Sequence, residues 1–596
     1  MAARRGKDFP GLLLAAAISI LGMTGCQQLK DVFETRPSEK MPQYKPVSEV
    51  YIAGQNWPTD QRQWYYHTSQ GTVLLPYKWF MALEQPKIKI FGDVPRFHDT
   101  SYLVRFGFLP GTTDYQNPDG LPVGLAKGTV TDLETGDPVE VVGLTCAACH
   151  TGQIEYQGKG IRIDGGSATV DLASFQTELG YAVGFAAKIP FRFDRFAKAV
   201  LGENATKEEK SKLRAQFDKV LNAGLDEKDQ AAKKNLYPDF VGFGRTDALG
   251  RIGNFVFGTE LNNNNLEVAN APVSFPPLWY ASWLDWVQYN SSIQGPMVRN
   301  IGEALGVRAR VNLKDAKAGL YRSTVNVKNL HEMESLLAGP EPFKGLQAPL
   351  WPEQILGPID WTKAKLGKGL YEKHCEHCHL PSLDSADMQD VKSKRWSDGL
   401  ANRHFLKTNA IPIEEVGTDP LAAANWNKRT AVTDALNLGK VAGTEGLRVV
   451  TTKIAAQKYD ELKLSSEQRI EWDGYRADGV RAPLAYRARL LEGIWATPPF
   501  LHNGSVPNLY EMLIPADKRD KTFYVGNREF DPKRVGYSTA SFEGGFEFRT
   551  NVTGNSNTGH EFKNAPLGNG VIGPELTDDE RWEIIEYLKV IGQPMK

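Results

Sequence analysis

The sequence predicts a mainly α fold with loop-rich irregular regions and short β-hairpins, arranged as two modules that carry large insertions. Three observations lead there. The motif Cys-x-x-Cys-His occurs twice, at Cys146–His150 and Cys375–His379, and it is the only internal duplication. Glycine and proline number 56 and 35 in 596 residues, which is the chemistry of turns and irregular loops. Apolar residues recur at helical spacing ahead of the second motif and again at the end of the chain. The hydrophobic fraction of 41% is that of a globular chain, which excludes disorder and a polytopic membrane protein. With 70 basic and 71 acidic side chains there is no cationic excess to hold a phosphate backbone, so nucleic acid is excluded as a partner.

The elements follow in chain order. Arg4, Arg5 and Lys7 precede an apolar run from Gly11 to Met23, 13 residues long, where a membrane span needs about 20. That is a secretory signal, residues 1–26. It stops at Met23-Thr24-Gly25-Cys26, which resembles a bacterial lipobox with Met23 where Leu is usual. Cys26 is therefore expected to be lipidated, with ordinary cleavage and a loose thiol as the alternative. Gln27 in place of Asp directs such a lipoprotein to the outer membrane, facing the periplasm or cell surface. Residues 27–60, with Pro37, Pro42, Pro46 and Pro58, read as an extended tether.

A first module is expected over 61–345. Val141–Leu144 leads into its motif, Ile154–Ile163 alternates like a hairpin, and 176–236 reads as helical with a charged, solvated face. The second module spans 346–596. Lys363–Tyr371 forms a helix ahead of Cys375. Thr577 caps a last helix, with Glu580 three residues on and Trp582, Ile585, Tyr587 and Leu588 as its apolar stripe.

Cys-x-x-Cys-His is the attachment signature of a c-type haem. Its two thiols lie on one helical turn and add across the haem vinyl groups, while the histidine faces the iron. Two copies without further cysteine partners leave little room for zinc. The expectation is two covalently bound haem c groups, on Cys146, Cys149 and on Cys375, Cys378, with His150 and His379 as proximal iron ligands. Each module is then a c-type cytochrome (haem) domain.

The segment Leu491-Glu-Gly-Ile-Trp-Ala-Thr-Pro-Pro-Phe-Leu-His-Asn-Gly-Ser505 resembles a stretch of the bacterial di-haem cytochrome c peroxidase superfamily, as does Asn270-Ala-Pro-Val273. The likeness covers most of 60–596. Within the superfamily it is nearest to the di-haem rubber oxygenases, whose latex-cleaving chemistry acts on isoprenoid alkenes; Asn555-Ser-Asn-Thr-Gly-His560 agrees with them. The resemblance implies that terminal helices cross beside the second haem. It also implies an open sixth position at the first iron and a distal histidine at the second. Carried onto this chain, that histidine is His560, with His502 as the alternative. It further implies a tryptophan conduit between the haems, for which Trp286 is the choice over Trp279 and Trp283. Over the first haem it implies a segment Pro296–Glu303, with either Glu303, as in peroxidases, or Ile301, as in the rubber oxygenases, facing the iron. His67 or His98 would be a resting cap there.

These readings describe an exported oxidoreductase that activates peroxide or dioxygen at its first haem, as a peroxidase or a dioxygenase. A hydrophobic substrate or a redox partner protein completes its set of partners. The rival class is a pure electron-transfer cytochrome with both irons six-coordinate. A chain this long is large for that role, since a stable core needs far fewer residues.

Overall fold

A computed structural model describes residues 40–87 and 93–596. The signal segment, Cys26 and the first part of the tether lie outside the described residues. Among the described residues, no helix is long and apolar enough to cross a membrane.

The first motif is held by two small sheets. Strand Leu125–Thr131 pairs antiparallel with Pro138–Leu144, and the latter runs directly into the short helix Cys146–Cys149. Thr145 caps that helix, its side chain accepting from the Ala147 amide at 3.3 Å. On the way out, Thr151–Tyr156 and Lys159–Asp164 form the expected hairpin. Its two-residue turn is Gln157 and Gly158, both at positive φ (51° and 77°), the conformation that matches the twist of the flanking strands. Residues Glu49–Ile52 add a parallel third strand. The helical region resolves into Leu172–Lys188, Arg192–Leu201 and Lys207–Lys233. The last has a full capping box at Thr206 and Glu209 and buries only Leu213, Phe217 and Leu221, so most of its charged surface is solvated.

In the second module, helix Trp361–His374 crosses Asp578–Leu588. Gly367 is the crossing point: a Cβ there would lie 1.9 Å from the Glu583 carbonyl oxygen. Thr577 and Glu580 form the capping box expected of them. Between these helices the chain packs back on residues before position 345. Helix Gly443–Glu461 packs on Pro296–Gly306, and strands Thr522–Val525 and Phe546–Arg549 contribute Val525 and Phe546 to the apolar cluster of the first module. One core cluster joins Tyr65, Ile163, Trp495 and Ile585, taking residues from both sides of position 345.

Candidate haem sites

At the first motif the one-turn helix buries Ala147 and Ala148 and leaves Cys146, Cys149 and His150 half-buried on its other face. The thiols are free. Burial first, and then the Glu303 carboxylate, pushes the Cys146 thiol up to about 12; Gln70 donates to its sulfur at 2.8 Å. The His150 ring is fixed through Nδ1, which bonds the Pro276 carbonyl at 2.7 Å. A carbonyl only accepts, so Nδ1 carries the proton and Nε2 is left as the ligating nitrogen. Burial lowers this imidazole to about 4, which keeps it neutral, as a metal ligand must be. The residues present therefore fit a covalent haem.

Helix Pro296–Gly306 supplies the groups that act on this motif. Arg299 and Glu303 are one turn apart and share a face. Glu303 raises both the Cys146 and the Cys149 thiols, and Arg299 lowers His150. Gln288 Nε2 donates to Glu303 Oε1 at 2.6 Å. Burial holds the Glu303 carboxyl above its ordinary value, against the pull of Arg299 and Gln288. Arg299 is itself ion-paired with Glu334. Ile301, by contrast, is fully enclosed in an apolar cluster with Ile252, Leu305 and Leu447. Of the two alternatives at this helix, Ile301 is taken up by the apolar cluster, and Glu303 is the one whose charge is felt by the two thiols. His67 is tied through Nδ1 to the Leu125 carbonyl, and His98 lies against Phe80.

The second motif repeats the proximal arrangement. His379 Nδ1 bonds the Arg489 carbonyl at 2.7 Å, and burial lowers the ring to about 4. Here the facing group is an imidazole. The His379 and His560 ring centroids are 6.0 Å apart at 71°. Two imidazoles on opposite sides of one metal, with metal–nitrogen bonds of about 2 Å and ring radii of about 1.1 Å, require roughly 6 Å. Burial, then His379 and Arg519, lowers His560 to about 3. His502 stands elsewhere, stacked on Tyr486 at 4.0 Å with its ring also near Tyr289.

The glycine-rich loop explains how His560 gets there. Gly559 has φ +72°, and a Cβ on it would lie 2.2 Å from the Gly417 carbonyl carbon. Only glycine permits that approach. The His560 amide then donates to the Val416 carbonyl. Arg519 fastens the loop from the other side, donating to the carbonyls of Asn557 (2.6 Å), Gly559 (2.9 Å) and His560 (2.8 Å).

The segment Asp285–Gln288 is linked to neighbours of both motifs. Asp285 accepts from the Thr408 amide and hydroxyl, and the neighbouring Asn409 donates to the Cys378 carbonyl at 2.9 Å. Three residues on, Gln288 holds Glu303. Trp286 lies in this segment, under the Arg481 guanidinium at 3.8 Å. Trp279 and Trp283 donate their indole N–H groups to the carbonyls of Glu492 and Ala338. Sequence reasoning did not find Gln288, Arg299, Glu334, Arg487, Arg489 or Arg519. None belongs to a spaced motif, and each acquires its partners only by tertiary contact.

Residues 485–524 match the family described as RoxA-like, cytochrome c-like, which implies covalently bound haem c. The segment includes Arg489, whose carbonyl orients His379, and His502. The chain is similar to the uncharacterized protein y4iJ of Sinorhizobium fredii, 44% identical over 99% of this chain and 100% of that protein. It is also similar to the uncharacterized protein y4iM of the same organism, 26% identical over 39% of this chain and 49% of that one. With identity at that level along the whole of both chains, this protein belongs to the y4iJ family and carries within it a RoxA-like, cytochrome c-like domain.

Proposed function

We propose that the protein is an exported di-haem oxidoreductase that reduces peroxide at the haem site of Cys146, Cys149 and His150. A second haem, which Cys375, Cys378, His379 and His560 would hold, would supply it with electrons. The observation that carries this reading is the asymmetry between the two motifs: the His560 imidazole faces His379, whereas at the first motif the buried Glu303 carboxylate, bonded to Gln288, raises both thiols. Two fixed imidazoles suit electron relay, and an oxidant needs a free coordination position. Haem c supplies the redox-active iron at each site.

The chain's own residues handle protons and order. Converting peroxide to two waters takes two electrons and two protons; a reduced donor protein supplies the electrons. Glu303 accepts the proton of one peroxide oxygen and returns it to the other as the O–O bond breaks. Its raised affinity for a proton suits it to that exchange, and general acid–base help of this kind is worth about a hundred- to ten-thousand-fold. Gln288 and Arg299 orient the carboxylate. Trp286, in the segment linked to neighbours of both motifs, lies on the electron route. The RoxA-like match favours a second reading, dioxygen-dependent cleavage of an isoprenoid alkene. Anchoring through Cys26 would hold the protein at the outer membrane.

Paramagnetic resonance of the purified ferric protein should show one high-spin and one low-spin iron. Glu303→Gln should abolish peroxide-dependent oxidation of a reduced cytochrome while both haems stay attached. Retained peroxide activity in that variant, or alkene cleavage as the sole activity, overturns the peroxidase reading. Two low-spin irons in every redox state would make the protein an electron carrier.

A further inference from the structure

Arg487 ends the short strand Ala485–Arg487, which pairs with Ala410–Pro412, and Arg489 follows two residues on. Their backbone is tied on both sides: the Arg487 amide donates to the Tyr289 carbonyl at 2.6 Å, and the Arg489 carbonyl holds His379. Their side chains are not. Arg489 Nη2 reaches the Thr497 hydroxyl at 2.9 Å, while its Nε is buried without a hydrogen-bond partner among the described residues. Arg487 Nε makes a long contact of 3.3 Å to the Gln288 carbonyl.

Among the described residues neither guanidinium forms an ion pair, as Arg62 does with Asp164 at 2.7 Å, and each makes one hydrogen bond, whereas Arg476 and Arg519, likewise without an ion pair, are held by two or more backbone carbonyls. The charges that face Arg487 are Arg489, Arg299, Asp285 and the Tyr289 hydroxyl; Arg489 faces Arg487 and Tyr289. The carboxylates nearby are already committed. Glu334 pairs with Arg299, Glu303 is held by Gln288, and Asp285 is bonded by Thr408 and by the Trp286 amide. Two adjacent recessed cations without an ion-pair partner are costly, and the planar guanidinium fork is shaped for a carboxylate.

We propose that Arg487 and Arg489 form a carboxylate-binding site for haem propionates. This rests on the haem reading above. Every haem c carries two propionate carboxylates, and Arg489 is already bound, through its own carbonyl, to the imidazole expected to hold the second haem. The side chains then supply counter-charge at the haem edge. Because a neighbouring cation favours the reduced iron and keeps the propionate ionised, the pair also sets the reduction potential.

The test uses the full-length holoprotein with visible redox titrations over acid to alkaline pH. Arg489→Gln should lower the midpoint potential of one haem. It should also make that potential pH-dependent near neutrality, because a propionate that has lost its cation takes up a proton on reduction. Arg489→Lys should restore most of the wild-type behaviour, and Arg487→Gln should act in the same direction as Arg489→Gln. Haem-stained denaturing gels should be unchanged throughout. Gln variants that keep both haems and titrate as wild type at every pH overturn the proposal. Absence of haem staining in the wild-type protein overturns instead the haem reading beneath it. If the Gln variants do not accumulate, redox-difference infrared spectra of the wild type decide: ionised propionate bands at neutral pH are expected, and protonated ones refute the assignment.

Discussion

Gln288 Nε2 donates to Glu303 Oε1 at 2.6 Å, and this bond ties helix Pro296–Gly306 to the segment that leads through Asp285, Thr408 and Asn409 to Cys378. It favours the charged form of Glu303. Gln288→Leu should therefore raise the affinity of the carboxyl for its proton further. Where catalysis needs the ionised form, the acidic limb of the pH–rate profile moves to higher pH. Steady-state rates across pH check this, and a limb that stays in place would separate Gln288 from the chemistry.

His560 faces His379 by virtue of its loop, so two different variants should give related spectra. His560→Ala should convert the second haem from low spin to high spin and leave the first unchanged. Arg519→Gln removes the donors to three loop carbonyls and should populate the same high-spin signal in part, without touching the iron. His502→Ala should do neither. A high-spin conversion in His502→Ala with none in His560→Ala would reverse the ligand assignment.

Glu492 is enclosed beside the second site. Its Oε1 accepts from the Leu383 amide at 2.8 Å, and Oε2 has no hydrogen-bond partner among the described residues. Burial, partly offset by the Leu383 bond, pushes the carboxyl up from 4.5 to about 7. The folded protein thus retains a proton that the unfolded chain releases over this window. Stability falls as pH rises from about 4.5 to about 7 and levels off above it, a loss on the order of 3 kcal/mol. Glu492→Gln should remove this slope and be the more stable protein on the alkaline side. Denaturant titrations followed by circular dichroism on either side of the window measure it; parallel slopes for both proteins would contradict the assignment.

Gly367→Ala should separate the crossing helices, because the added Cβ falls 1.9 Å from the Glu583 carbonyl. A cost of about 1–3 kcal/mol or more is expected for such overpacking. Ala at Gly369, on the same helix with nothing within 4 Å of a Cβ, should be neutral or stabilising. Equal melting temperatures for the two variants would contradict the crossing.

Local chemistry was legible in the sequence wherever residues a few positions apart act together. The two Cys-x-x-Cys-His motifs, the Thr577–Glu580 capping box and the hairpin turning at Gln157 and Gly158 are all written within short windows. Their determinants are a helical turn, one cap or a pair of positive-φ residues. The helical stretch after 176 was equally plain, although its division into three helices was not. Which partner meets each motif depends on chain segments far away in sequence. The Glu303 charge raises the Cys146 thiol from more than a hundred residues away in sequence, and His560 meets His379 across a similar separation. Ile301 and Glu303 are two positions apart on one helix, so no periodicity argument could say which side meets the motif. Packing of Pro296–Gly306 against Gly443–Glu461 takes Ile301 into an apolar cluster, while the Glu303 carboxylate is bonded by Gln288. The guanidiniums of Arg487 and Arg489 illustrate the same limit: a sequence shows two charges, and only the folded chain shows that no carboxylate among the described residues pairs with them.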